Sequence, residues 1–108
     1  MEFRELPVFT DVISEMASDD ELHGLQMKLM RSPRRGKVVQ GTGGARKIRL
    51  GVAGRGKRGT GRVVYYYQDR DEVIWMLTAY MKRDKSDLSF KEKKALQWII
   101  NQIKGNRP

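Results

Sequence analysis

Apolar positions along this chain switch between a helical and a strand period, and the switches mark its elements. Phe9, Val12, Ile13 and Met16 fall at i, i+3, i+4 and i+7, one face of a helix. Pro7 suits the first turn of that helix, where a missing N–H costs nothing. Ser18-Asp19-Asp20-Glu21 is a capping box that opens a second helix. Leu22, Leu25 and Leu29 share its inner face, and Ser32-Pro33 ends it. Met1 to Glu5 is expected as a short first strand.

From there the period becomes two. Val38 to Gln40 is expected as a short strand and Gly41-Thr42-Gly43-Gly44 as a turn. Ala45 to Val52 alternates, with Ile48, Leu50 and Val52 on one side and Lys47 and Arg49 on the other. Gly54 to Gly61 reads as a loop. Arg62 to Gln68 and Val73 to Lys82 are strands joined by a polar turn at Asp69 to Glu72. Ser89-Phe90-Lys91-Glu92 is a second capping box, opening a helix with Leu96, Ile99, Ile100 and Ile103 inward and Gly105 at its end. Trp75 and Trp98 are expected in the core. The result is one α+β domain over residues 1–108, with a small, mostly antiparallel sheet, two N-terminal helices and one C-terminal helix.

Charge adds direction. Net charge is +9 and the pI about 10.1, which favours polyanionic partners. Residues 1–30 hold seven acids against Arg4 and Lys28, but no acid lies between Glu21 and Asp69. That acid-free stretch carries twelve lysines and arginines and ten of the chain's eleven glycines. No apolar run is long enough to span a bilayer, and the N-terminus lacks the features of a signal peptide. A cytoplasmic protein without a membrane partner is expected. Cysteine is absent, which excludes disulfides and thiolate metal sites.

Two nucleotide motifs are matched only in part. Gly51-Val-Ala-Gly-Arg-Gly56-Lys57 fits the first positions of a P-loop, but Arg58 replaces the Ser/Thr that holds magnesium. Gly54-Arg-Gly56-Lys-Arg-Gly59 fits a dinucleotide fingerprint. Both need a helix after the loop, and here a strand follows. The alternative is a basic loop that grips phosphates. His23 is the only histidine, so two-histidine ribonuclease chemistry is excluded. No acidic cluster suggests a two-metal nuclease.

Arg62 is the sharpest single position, a cation opening an apolar, aromatic strand. It could pair with an acid such as Asp69 or Asp71, or contact phosphate. An antiparallel hairpin turning at 69–72 brings Lys82 and Arg83 to the same end of the sheet as Arg62. With Lys47 and Arg49 they make a cluster suited to the charge of a pentacoordinate phosphorus transition state.

Three spaced blocks resemble a known family: Gly41-Thr-Gly-Gly-Ala-Arg-Lys-Ile-Arg-Leu50, Gly54-Arg-Gly-Lys-Arg-Gly-Thr-Gly-Arg62-Val-Val-Tyr-Tyr66, and Tyr80-Met-Lys-Arg-Asp-Lys-Ser-Asp-Leu88 before a helix. Together they resemble the RelE/HigB superfamily of bacterial toxins, closest to its HigB-like branch, over about residues 20 to 104. The resemblance implies a β-α-α-β-β-β-α fold. It implies the toxin of a type II toxin–antitoxin pair, a ribosome-dependent endoribonuclease that cuts mRNA in the A site by 2′-OH attack. No metal or other cofactor is implied. Lys47 and Arg49 match the family's phosphate-binding and proton-transfer cations, Arg62 its transition-state arginine, and Lys82 and Arg83 its basic pair, with Arg83 the closer catalytic match. Arg46, Arg55, Lys57, Arg58 and Lys85 are expected to hold the RNA backbone. The implied partners are mRNA, the ribosome and a cognate antitoxin, a helix-turn-helix DNA-binding protein through which operator DNA is bound. One feature departs: Ser89 stands near the position of the tyrosine that RelE-type members carry.

Two further functions fit the residues. A non-catalytic RNA- or ribosome-binding module would show steep salt dependence and leave mRNA intact. A protein-interaction domain would use the basic surface to meet an acidic partner.

Overall fold

The strand alternation places apolar side chains on both faces of the central strands, so both faces must be covered. A computed structural model, which describes residues 1–54 and 58–105, shows how. In chain order the elements are β1 (Glu2–Glu5), α1 (Pro7–Met16), α2 (Asp19–Arg31), β2 (Lys37–Val38), β3 (Arg46–Val52), β4 (Gly59–Gln68), β5 (Val73–Met81) and α3 (Phe90–Gly105). The sheet runs β1-β5-β4-β3-β2, with β1 parallel to β5 and every other pair antiparallel.

Phe9, Ile13 and Met16 of α1 and Leu25 and Leu29 of α2 pack on Val63, Tyr65, Ile74 and Met76 at one face. Leu96 and Ile100 of α3 cover Val64, Leu77 and Tyr80 at the other. Both capping boxes form. Ser18 Oγ accepts from the Glu21 N–H at 3.1 Å, and Glu21 accepts from the Ser18 N–H at 2.8 Å. The Ser89 box closes at 3.1 and 2.7 Å. Of the 41–44 turn, Gly41, Gly43 and Gly44 have positive φ. Inside it the buried Thr42 hydroxyl donates to Val39 O and accepts from the Ala45 N–H.

Several expectations change. The short strand is Lys37–Val38, not 38–40. The strand with Arg62 begins at Gly59, because β3 pairs with it as far as Val52 opposite Gly59. Arg62 therefore lies inside a strand and does not open one. Trp98 is 64% exposed, since the inward stripe of α3 turns it away from the sheet. Trp75 is half-buried, under the Arg4 guanidinium at 5.3 Å, with its indole N–H donated to Gln68. His23 is exposed on α2.

The connection from α2 to β2 is tied to the sheet by one side chain. The hydroxyl of the fully buried Tyr65 donates to Pro33 O at 2.7 Å and accepts from the Gly36 N–H at 2.9 Å. A Cβ on Gly36 would stand 2.9 Å from both Lys47 O and the Tyr65 ring, so only glycine lets the chain lie this close. Tyr65→Phe leaves a buried N–H without its acceptor. It should cost roughly 1–3 kcal/mol, read as a lower urea midpoint at unchanged m-value. An unchanged midpoint would show that the tether does not hold the segment.

Candidate nucleic-acid interface

Strand register decides which cations meet. Arg62 on β4 lies directly opposite Arg49 on β3 and opposite Tyr80 on β5. Lys47 is two residues from Arg49, and Lys37 on β2 lies directly opposite Lys47. Directly paired residues share a face, and so do residues two apart. Lys37, Lys47, Arg49, Arg62 and Tyr80 therefore project from the same side of the sheet. Like charges directly opposite each other destabilise a sheet, and here two such pairs stand side by side.

These residues border a cleft of about 760 Å³. Its cationic lining is Lys28, Arg35, Lys37, Lys47, Arg49, Arg62 and Lys82. No acidic side chain lines it. A neighbouring hollow of about 470 Å³ is bordered by Arg58, Lys82 and Arg83 together with Gly59, Thr60 and Met81. Lys82 belongs to both, so the two form one basic track.

Arg62 is half-buried. Its Nη1 is buried without a hydrogen-bond partner, and so is the Tyr80 hydroxyl across the strand pair. Neither Asp69 nor Asp71 takes Arg62 as an ion-pair partner; Asp69 is engaged by Arg34 at 2.8 Å. A buried charged donor left unpaired costs more than the roughly 1–3 kcal/mol of a neutral one. An incoming anionic oxygen would recover that cost. Tyr80 opens the third of the spaced blocks, but the sequence attaches no role to it. Its strand position opposite Arg62 is the signal that finds it, once the register is known. Its phenol is pushed up, first by burial and then by Asp87, against a smaller opposing effect of Arg62. It stays protonated at neutral pH.

Lys47 is held differently. Its Nζ lies 3.2 Å from Asp87, whose carboxylate also accepts from the Leu88 N–H at 2.7 Å. Asp87 is held below the usual aspartate range, first by that N–H and then by Lys47.

The other expected RNA contacts separate. Arg46 points to the opposite face and donates to Arg34 O at 3.0 Å and Gly36 O at 2.8 Å. Arg83 donates to Arg58 O at 3.2 Å. Lys85 is paired with Glu92 and lies over the Tyr80 ring at 5.1 Å. Arg55 and Lys57 lie outside the described residues. Lys28, Arg35 and Lys37 line the cleft although the motifs do not reach them. Their signal was their place in the acid-free stretch. Among the described residues, no group of three or more His, Cys, Asp or Glu could hold a metal ion. No helix among them is long and apolar enough to cross a membrane.

The model of the RelE toxin of the RelE / RelB toxin-antitoxin system matches residues 15–106. The chain belongs to the RelE toxin family. Among solved structures, a mutant of the E. coli toxin RelE in the free state superposes with a TM-score of 0.60 at 16% identity, covering 79% of this chain and 86% of that one. The intact E. coli RelBE toxin-antitoxin complex gives a TM-score of 0.57 at 19% identity, covering 74% and 94%. At such identities the likeness carries the RelE fold.

Asp87 makes the pH dependence testable. Because its folded pKa is depressed, its contribution to stability is present above the ordinary aspartate value of about 3.9 and is lost as pH falls through the lowered value. Asp87→Asn should lower stability at neutral pH and flatten the loss below about pH 4, in urea unfolding run across that range. Equal slopes for both proteins would remove Asp87 from the account.

Proposed function

We propose that this RelE-family protein is the toxin of a toxin–antitoxin pair and a ribosome-dependent mRNA endonuclease. The observation that carries the proposal is Arg62, which lines a cleft rich in cations and has one buried guanidinium nitrogen without a partner. The reaction is attack of a ribose 2′-OH on the adjacent phosphorus. The 2′-O–P bond forms and the P–O5′ bond breaks. One fragment ends in a 2′,3′-cyclic phosphate, which can open to a 3′-phosphate, and the other begins with a 5′-OH. The proton lost from the 2′-OH is balanced by one gained at O5′.

Arg62 stabilises the charge on the non-bridging oxygens in the transition state. Arg49 and Lys82 hold the same phosphate from either side, and Arg83 the neighbouring one. Lys47, paired with Asp87, adds a further contact to phosphate. The ribosome contributes the alignment of attacking and leaving oxygens that the free protein lacks. Ser89, where RelE-type members carry tyrosine, is committed to its helix cap. This favours a second reading, a cationic module that binds RNA in the A site without cutting it. A cognate antitoxin is the proposed protein partner. Support comes from the family and from the E. coli relative, which was solved as a toxin-antitoxin complex.

Mapping mRNA 5′ ends in a translating extract separates the readings. The wild-type protein should create new 5′-OH ends, and Arg62→Ala should reduce them by ~10²–10³ while unfolding at the same urea midpoint or a higher one. Intact mRNA with stalled translation would favour the non-cutting module. A folded Arg62→Ala protein with full cutting would remove Arg62 from the site.

A further inference from the structure

Three cations that line the cleft, Lys28 on α2, Arg35 on the connection that follows and Lys37 on β2, lie outside the residues matched to the family's cutting site. Lys28, Arg35 and Lys37 are exposed, and none has an ion-pair partner among the described residues. Two features turn them from a solvated charge run into a constructed surface.

The first is rigidity. The segment carrying Arg35 and Lys37 is fixed at several points. The Tyr65 hydroxyl holds Pro33 O and the Gly36 N–H. Arg46 holds the carbonyls of Arg34 and Gly36. The β2–β3 ladder pairs Lys37 with Lys47 and Val38 with Arg46. A buried tyrosine and a half-buried arginine thus brace a short segment whose outward side chains are cations. Arg46 serves here through carbonyls, from the far face of the sheet.

The second is placement. β2 pairs only with Arg46 and Lys47, so from Ile48 onward the outer edge of β3 has no strand beside it. Lys28 of α2 lines the same cleft, together with Ile48 and Arg49 of β3. Lys28 also borders a smaller hollow with Arg49 and Leu50, and the acids Asp20 and Glu21 close its far end. The basic surface therefore runs from Arg58 and Arg83, through Lys82 and Arg62, to Lys37, Arg35 and Lys28, where negative charge stops it.

We propose that Lys28, Arg35 and Lys37 form a preset arm that binds backbone phosphates of the RNA strand being cut, on the side of the scissile phosphate away from Arg58 and Arg83. The inference rests on the endonuclease reading for the identity of the strand. The chemistry of the arm, three cations without ion-pair partners among the described residues, does not depend on cutting. The cut strand is favoured over ribosomal RNA because the arm is continuous with the cleft that holds Arg62.

The test uses the free protein and single-stranded 2′-O-methyl RNA, which has no 2′-OH to attack. One RNA is about a dozen nucleotides long, within the site sizes of single-strand binders; the other is a dinucleotide. Affinities are measured across a salt series for wild type and for Lys28→Gln/Arg35→Gln/Lys37→Gln. These are surface changes, and a thermal melt checks that the fold is intact. With three fewer cations on its phosphates, the slope of log K against log salt for the longer RNA should become shallower by about 2, from roughly 0.7 per phosphate on a single strand. The dinucleotide slope should stay the same. An unchanged slope on the longer RNA overturns the proposal. If that slope is unchanged while binding to whole ribosomes weakens, the arm meets ribosomal RNA, and the assignment to the cut strand is equally overturned. Failure of the endonuclease reading would show separately, as intact mRNA in the extract, with the salt slopes unaffected.

Discussion

Arg49 and Arg62 face each other across β3 and β4, and most of what is distinctive here depends on that opposition. Like charges in directly paired positions weaken a sheet. Lys37 opposite Lys47 repeats the problem one strand over. Among the described residues, only Lys47 of these four has a carboxylate to balance it, from Asp87 in the segment before α3. The sheet is therefore held together despite these pairs, by apolar layers on both faces, and the unbalanced charge is concentrated at one end. A site in this condition gains free energy when a polyanion binds, because binding removes repulsion that folding had to overcome.

The two faces divide the work. On the α1/α2 side, Val63, Tyr65, Ile74 and Met76 make the larger core, and the Tyr65 hydroxyl extends it to the α2–β2 connection. On the α3 side, the core of Val64, Leu77, Leu96 and Ile100 ends at Tyr80, directly opposite Arg62. An irregularity in the β4–β5 pairing between Val64 and Tyr65 lets Leu77 join Tyr80 in that core. The apolar end of the face and its cationic end are thus parts of one strand pair. A family built on this fold can vary the cations while the packing that carries them stays in place.

Much of this was legible in the sequence. Capping boxes at Ser18 and Ser89, the i, i+3, i+4, i+7 stripe of α1 and the alternation from Ile48 to Val52 each identify an element through local chemistry. The hairpin turning at 69–72 brought Lys82 and Arg83 to the end of the sheet that holds Arg62, because register follows from turn position. What escaped was non-local. The parallel pairing of β1 needs a crossover that no local pattern announces. Trp98 looked like core by residue type, although the period of α3 turns it outward. Arg46 lies one residue from Lys47, so it points to the opposite face and binds carbonyls. Arg35 and Lys37 reach the cleft through the tether at Tyr65 and the short β2, and Lys28 through the packing of α2. The orphaned Tyr80 hydroxyl depends on a cross-strand partner that sequence spacing cannot show.

The sheet holds Arg62 half-buried in the cleft lining, with a guanidinium nitrogen that lacks a partner and is offered to a phosphate oxygen. NMR of arginine side-chain N–H groups tests this most directly, with the Arg62 signal assigned from the Arg62→Lys protein. Titration with an uncleavable RNA dinucleotide should shift the Arg62 guanidinium protons downfield and slow their exchange, as expected for a charge-assisted hydrogen bond. Saturable RNA binding that leaves the Arg62 signal unmoved would contradict the account.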